Sequence, residues 1–434
     1  MCRFIVPFAL ALTAFAGGSA FAQGSSLGTP PVPNQASLPV VPSSPPLTLA
    51  AAIQIALDGN PEIASSRREV EAMEGARVQA GVFQNPTLSV EVEDVRRDTR
   101  TTTVLLSQPF ELGGKRGARI EAAERAIDVA RAQLETKYAD IRANVTAAFF
   151  ATLISQDRVR LAQASLELAR TGSETAGKRV TAGKVSPVEE TKAKVAEANV
   201  RLELVQARGE LQTNLYQLRA LTGPTVVFDA VDGNALQIPK PQAQETIEDR
   251  ITSAPSMRQA RLEVKRYGAL SELEKAKRIP DITLNAGTMR SREVGRSQAV
   301  VGISVPLPIF DTNRGNITEA LRRQDKAEED ARALELRLRA DVGGARQRYV
   351  TTLAEVEALQ SDILPGAQTA FDAATKGFEL GKFSYLDALD AQRTLLQARS
   401  QYLRSLSELH RSITDLDRLL GGPAAASGSP VSNP

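Results

Sequence analysis

Three sets of residues in this sequence could do chemistry. Gly113-Gly114-Lys115, inside LSQPFELGGKRGARI (Leu106 to Ile120), carries the glycines and lysine of a phosphate-binding loop. Such a loop needs a Ser or Thr after the lysine to hold magnesium, and here Arg116 follows Lys115. The carboxylates Asp387 and Asp390, in LDALDA, could attract a cation. His410, the sole histidine, could ligate a metal, but tight zinc or cobalt sites take several nitrogen or sulfur ligands, and the sole cysteine is Cys2. No grouping of nucleophile, base and metal ligands marks a catalytic centre. We therefore expect no enzyme, no cofactor and no metal site. His410, on a stripe with Leu389, Leu396 and Leu403, reads as a packed or channel-side residue.

The elements that carry these residues belong to a tandem duplication. Asn60-Pro61 and Glu69-Val70 recur as Ala254-Pro255 and Glu263-Val264, an offset of 194, and Pro86 recurs as Pro280. Arg116-Gly117 recurs as Arg314-Gly315, and AGKVS (Ala182 to Ser186) as LGKFS (Leu380 to Ser384), at 198. Roughly four residues are thus inserted between the strands and the long helix of the second copy. The first repeat is expected over 47–223: a helix, strands at about 87–94 and 101–110, a long helix 115–181, a turn 182–186 and a helix 187–221. After an inter-repeat segment 224–245, the second repeat spans 246–421. Its strands lie at about 281–289 and 298–307, followed by a long helix 314–379, a turn 380–384 and a helix 385–420.

Composition agrees with long helices: of 434 residues only 4% are aromatic, none is Trp, and Ala, Leu, Glu, Arg and Gln fill runs without breakers. The 53 basic and 51 acidic side chains are interspersed, so no basic stripe marks a nucleic-acid partner. Residues 1–22 read as a secretory signal, with Arg3, an apolar core from Phe4 to Ala16, and the cleavage pattern Ala20-Phe21-Ala22. Cleavage removes Cys2, so disulfides and a lipid anchor on cysteine are not expected in the mature chain. Residues 23–46 form a Pro/Ser-rich linker and 422–434 a disordered tail. No later uncharged apolar run reaches about 18 residues, so a membrane span would have to be a barrel.

The strand segments alternate. Leu88, Val90 and Val92 stand against Thr87, Ser89, Glu91 and Glu93, and Ile282, Leu284 and Ala286 against Thr283, Asn285 and Gly287. Ala299, Val301, Ile303 and Val305 stand against Val300, Gly302 and Ser304. A soluble sheet with one buried face would alternate in the same way. The helices, however, spend their apolar surface on heptads such as Ile120, Ile127, Leu134, Ile141 and Ala148, or Leu395, Tyr402, Leu409 and Leu416. Nothing apolar remains to cover the strands. Apolar-out, polar-in alternation suits a water-filled barrel, which four strands cannot close, so several chains must contribute. The helix 115–181 would run about 100 Å, which builds a tube or a rod.

The glycine stretch and its second copy, Asp311-Thr312-Asn313-Arg314-Gly315, share a strand stop and a glycine-softened lead into a long helix. Pro109, Gly113, Gly114, Arg116, Gly117, Pro306, Arg314 and Gly315 are therefore expected at a barrel-to-helix junction. At the far ends, Gly183 stops a helix, while Ser186, Pro187 and Glu189 offer an N-cap, a first-turn proline and a capping box. Gly381, Ser384 and Asp387 repeat the device. Capping leaves Lys184-Val185 and Lys382-Phe383 unexplained, and an exposed apolar residue at a hairpin tip points to docking.

Duplicated halves of helix, strand pair, long helix, G-K-[VF]-S turn and returning helix resemble the TolC-type outer membrane efflux protein family, over about Leu47 to Gly421. LSQPFELGGKRGAR and VPLPIFDTNRGNI resemble its heavy-metal branch, the outer membrane component of cobalt/zinc/cadmium-type resistance pumps. The resemblance implies a mainly α fold with a small β part: a homotrimer with a twelve-stranded outer membrane barrel and a helical periplasmic tunnel. Its implied partners are outer membrane lipid, a periplasmic adaptor and, through that adaptor, an inner membrane proton-driven pump of the RND type. Docking falls on Gly183, Lys184, Val185, Ser186, Gly381, Lys382, Phe383 and Ser384, and the tunnel entrance on Asp387 and Asp390. The implied cargo is a heavy-metal cation such as cobalt, zinc, cadmium or nickel. Alternatives are a duct for organic drugs or type I secretion, a periplasmic coiled-coil adaptor or scaffold, and an enzyme using the glycine loop.

Overall fold

The computed structural model describes residues 46–94, 96–223, 228–236, 238 and 244–422. The signal segment, nearly all of the linker, the tail beyond 422 and part of the inter-repeat segment lie outside the described residues. The chain runs β1 (Leu47–Thr48), α1 (Leu49–Gly59), α2 (Pro61–Ala80), β2 (Thr87–Glu93), β3 (Thr101–Phe110), α3 (Lys115–Thr181) and α4 (Pro187–Thr222). The second half follows as β4 (Val231–Asp232), α5 (Gln244–Ser253), α6 (Pro255–Lys277), β5 (Ile282–Ser291), β6 (Arg296–Ser304) and α7 (Arg314–Ala358). It ends with a π-helical turn (Leu359–Ile363), α8 (Leu364–Glu379) and α9 (Tyr385–Leu420).

Local chemistry sets the helix boundaries. Asn60 accepts the Glu62 N–H at 2.8 Å ahead of Pro61, and its amide donates to the Leu221 carbonyl at 3.2 Å, fixing the start of α2 to the end of α4. The heptad positions Ile127, Ile141, Leu395, Leu409 and Leu416 are buried. The largest cluster gathers Ile63, Ile141, Val145, Phe149, Leu215, Leu218, Phe228 and Leu406 where α1, α3, α4 and α9 meet, beside the short parallel pair of β1 and β4. Helix α3 is unbroken over 67 residues.

The second long helical run, expected as one helix over 314–379, is interrupted. Pro365 has no N–H and its ring would meet the preceding turn. The π-helical turn just before it absorbs the conflict, with Leu364 N–H bonding the Leu359 carbonyl five residues back.

Strands β2, β3, β5 and β6 form one antiparallel sheet in the order β2-β3-β5-β6. Register lines up the rows Leu88–Leu106–Ala286–Val301 and Val90–Val104–Thr288–Ala299 on one face. Thr87–Ser107–Asn285–Gly302 lies on the other. The apolar face is bare: Leu88 is 67% exposed, Val90 62% and Val301 83%. Strand β3 does not stop at Pro109, which pairs with Thr283, but continues to Phe110. A proline is tolerated there because β2 begins opposite Ser107, so at Pro109 the strand has a neighbour on one side only. Among the described residues no helix is long and apolar enough to cross a membrane.

Candidate functional site

Apart from His410, the residues singled out in the sequence fall in two regions: the seam between sheet and long helices, and the hairpin tips with the start of α9 beside them. At the seam, Gly113 and Gly114 both take the left-handed conformation, φ +70° and +71°. Gly113 also lies against Ile279, where a Cβ would come within 2.8 Å of that side chain. In the second copy one residue, Asn313 at φ 56°, makes the same left-handed step. Asn tolerates that conformation, and its amide donates to the Glu274 carbonyl and carboxylate at 2.8 and 3.0 Å. Gly117 and Gly315, by contrast, are ordinary helical positions with open space where a Cβ would go. The conformational requirement therefore falls on Gly113, Gly114 and Asn313.

Basic side chains of the glycine stretch bind protein here. Arg116 Nε donates to the Gly81 carbonyl at 2.7 Å and its guanidinium lies 4.2 Å from the Phe83 ring centre. Lys115 Nζ is 2.7 Å from Asp281 Oδ1, which also accepts the Leu112 N–H at 3.1 Å. Arg119 grips Glu111 through two bonds, 2.5 and 3.0 Å, and the carbonyls of Ala80 and Val82. The Arg119 bonds hold the Glu111 carboxyl below its ordinary range, against the opposing effect of burial, and Glu111 in turn raises the Arg119 pKa. Arg314 is exposed at the start of α7, so it does not repeat the role of Arg116. Pro306 lies just past the end of β6.

At the tips, Gly183 and Gly381 have φ +68° and +73° and end their helices in the same way. Ser186 caps α4 by accepting the Val188 N–H at 3.3 Å, a simple cap in place of the capping box expected with Glu189. The complete box is in the other tip. Ser384 Oγ accepts the Asp387 N–H, and Asp387 Oδ2 accepts the Ser384 N–H at 2.9 Å and its hydroxyl at 2.8 Å. The two tips lie side by side: the Arg179 guanidinium stacks 4.0 Å from the Phe378 ring centre. Lys184 and Lys382 are exposed and Val185 is half-buried. Phe383 is half-exposed because its ring folds back onto Gly377, where a Cβ would overlap it.

Asp390 is exposed on α9 and borders a cavity of about 670 Å³ between α4 and α9. Its counterpart in the first copy, Lys192, borders the same cavity, so the repeat places opposite charges around one groove. His410 is packed: it stacks on Phe150 at 3.8 Å and its Nε2 donates to the Ala235 carbonyl at 2.6 Å. Burial lowers its pKa, against the effect of that carbonyl. Among the described residues no group of three or more His, Cys, Asp or Glu side chains is placed to hold a metal ion. Sequence reasoning missed Glu111, Arg119, Asp281, Asn313 and Gly377. Asn313 alone carried a local signal, as a residue type that tolerates positive φ just before a helix.

The sequence profile of the family described as "Outer membrane efflux protein" matches residues 52–224 and 246–422, one match for each repeat. The chain is 42% identical to the cobalt-zinc-cadmium resistance protein CzcC of Cupriavidus metallidurans, over 97% of this chain and all of that one. It is 29% identical to the nickel and cobalt resistance protein CnrC of the same organism, over 68% and 71%. The open-state structure of the MtrE outer membrane channel of Neisseria gonorrhoeae matches with a TM-score of 0.74 at 19% identity, over 86% of this chain and 89% of that one. At that identity the likeness is one of fold.

Proposed function

The chain belongs to the outer membrane efflux protein family, and we propose that it is the outer membrane exit duct of a tripartite heavy-metal efflux system. Membership of an efflux family makes it a transport component and not an enzyme. The observation that carries the membrane assignment is the bare apolar face of the β2-β3-β5-β6 sheet, whose other side is mostly polar or small apart from Leu105, Met289 and Val300. Three copies, with about twelve strands, would close one water-filled barrel. The helical hairpins then continue the duct into the periplasm, and the tips at Gly183 to Ser186 and Gly381 to Ser384 meet a periplasmic adaptor coupled to an inner membrane pump of the RND type. With the signal removed near Ala22, no cysteine remains to carry a lipid, and the barrel is the anchor.

The cargo assignment, cobalt, zinc, cadmium or nickel, is supported by the resistance proteins to which this chain is similar. The protein itself acts as a passive path whose cargo is selected by its partners. Deleting the gene and comparing growth in zinc, cobalt, cadmium, nickel and copper with growth in organic drugs tests this reading. Sensitivity to one or more of the metals is expected, and drug sensitivity without metal sensitivity would overturn it.

A further inference from the structure

One end of the β2-β3-β5-β6 sheet joins the helices, and the other carries the two hairpin loops. Residues 94–100 and 290–296 at that far end hold six arginines, no lysine and three carboxylates, Asp94, Asp98 and Glu293. Register sorts the arginines by face. Arg290 stands opposite Thr102 and Ser297, in the row that follows Val90–Val104–Thr288–Ala299 on the apolar side. Two residues further on, the Arg292 N–H bonds the Arg100 carbonyl at 3.1 Å, so the ladder continues and sets Arg100 against Arg292 on that same side. Arg296 pairs with Ser291 on the opposite side, while Arg96 and Arg97 are exposed in the first loop.

Three guanidiniums thus border the apolar face at the end away from the helices. From Arg100 to Phe110, the strand covers about 34 Å at about 3.4 Å per residue. Tilted by about 40°, that length spans about 26 Å of height, and the apolar band of an outer membrane barrel is about 25 Å tall. The arginines therefore fall at headgroup level. They also lack partners within the chain. Among the described residues no carboxylate forms a salt bridge with Arg100, Arg290 or Arg292. The neighbouring Asp94 is committed to its own loop, accepting the Thr99 hydroxyl at 2.5 Å and the Arg96 N–H at 3.1 Å. Arg100 Nε is withdrawn from water and has no hydrogen-bond partner. A buried charged donor left unpaired is costly, so this one calls for an acceptor from outside the chain.

We infer that Arg100, Arg290 and Arg292 bind phosphate groups of the lipid in the outer leaflet of the outer membrane. This rests on the barrel reading above, which puts the helices in the periplasm and these loops at the outer surface. The residue type fits the ligand: a guanidinium offers a planar fork of donors that meets a phosphate through two bonds at once and sheds water more readily than an ammonium. The face fits a lipid and not a solute in transit, because the three arginines continue the apolar side of the sheet. They are carried by β3 and β5 and the turn after it, the inner strands, so a ring closed through the sheet edges β2 and β6 leaves them uncovered.

Purified trimers in detergent are titrated with diphosphorylated lipid A, with lipid A stripped of both phosphates, and with inorganic phosphate alone. Binding is read by native mass spectrometry and as a rise in the temperature at which trimers dissociate. The diphosphorylated lipid is expected to bind and to raise that temperature, less so as salt is added, while the other two do neither. Arg100→Gln/Arg290→Gln/Arg292→Gln is expected to bind it at least about tenfold more weakly, and Arg96→Gln/Arg97→Gln as well as the parent does. Should the triple variant fail to assemble, Arg290→Gln alone, at an exposed position, carries the test with the same direction of loss. Equal binding of the phosphate-free lipid, an equal effect of inorganic phosphate, or unchanged affinity in the arginine variants overturns the inference and leaves the barrel reading standing. A protein that yields no membrane trimer overturns both.

Discussion

Lys115 Nζ lies 2.7 Å from Asp281 Oδ1, joining the first residue of α3 to the residue before β5 across 166 positions of sequence. Both side chains are largely withdrawn from water, and Asp281 also holds the Leu112 N–H. The pair thus ties the first repeat's helix to the second repeat's strands at the level where sheet becomes tunnel. Asp281→Ala leaves a cation and an N–H without their acceptor, at an expected cost of about 1–3 kcal/mol. Thermal unfolding of Lys115→Ala, Asp281→Ala and the double variant should show the double losing less than the sum of the singles. Strict additivity would mean that the contact contributes nothing.

The neighbouring pair, Glu111 and Arg119, gives the junction a pH dependence. Glu111 is held below its ordinary pKa chiefly by hydrogen bonds from Arg119. A carboxyl whose folded pKa is depressed contributes stability that is complete above the unfolded value, about 4.3, and is lost as pH falls through the folded value. Thermal midpoints measured from pH 7 downwards should therefore fall below about pH 4.3 in the parent, and less steeply in Glu111→Gln. Equal acid limbs for the two proteins would exclude this pair as a source of acid sensitivity.

The apolar face of the sheet could be read from the sequence because a strand's period of two survives any register that keeps one face apolar. The duplicated helices could be read because their heptads and stop residues are local. Features made by distant partners could not. Nothing near Glu111 announces that Arg119 will also reach the carbonyls of Ala80 and Val82, and nothing near Lys115 announces Asp281. Two misreadings had local signals that were available. Pro365-Gly366 inside a helical pattern marks a distortion, here the π-helical turn. Asn313 marks a left-handed step as clearly as Gly114 does.

Gly377 is where the second hairpin tip can be broken without touching its exposed surface. The N–H groups of Lys382 and Phe383 both bond the Gly377 carbonyl, at 2.8 and 3.2 Å, and the Phe383 ring covers the glycine. Gly377→Ala should favour the helix locally yet evict the ring, since its methyl group and Phe383 claim the same space. The expected result is normal trimer level in the outer membrane with reduced metal resistance, measured as growth in the exported metal. If resistance is unchanged while the ring is displaced, the Phe383 position has no part in docking.

The sheet's two faces make opposite demands on a charge, which separates a barrel wall from a soluble layer. Val301 sits on the apolar face beside Ala286, and Asn285 on the other face between Ser107 and Gly302. Lysine on a lipid-facing strand position costs about 2–4 kcal/mol at mid-bilayer depth, while a lumen-facing lysine remains in water. Val301→Lys should lower the amount of heat-modifiable trimer recovered from outer membranes. Asn285→Lys should assemble at the parent level and, by placing a positive charge in each copy's lumen wall, slow the passage of divalent cations through reconstituted channels. Were the sheet instead a soluble layer with its Val301 face packed on another protein, Val301→Lys would leave membrane-free protein abundant. That outcome would remove the barrel from the account, since the exposure of Leu88, Val90 and Val301 would then need a protein partner and not lipid.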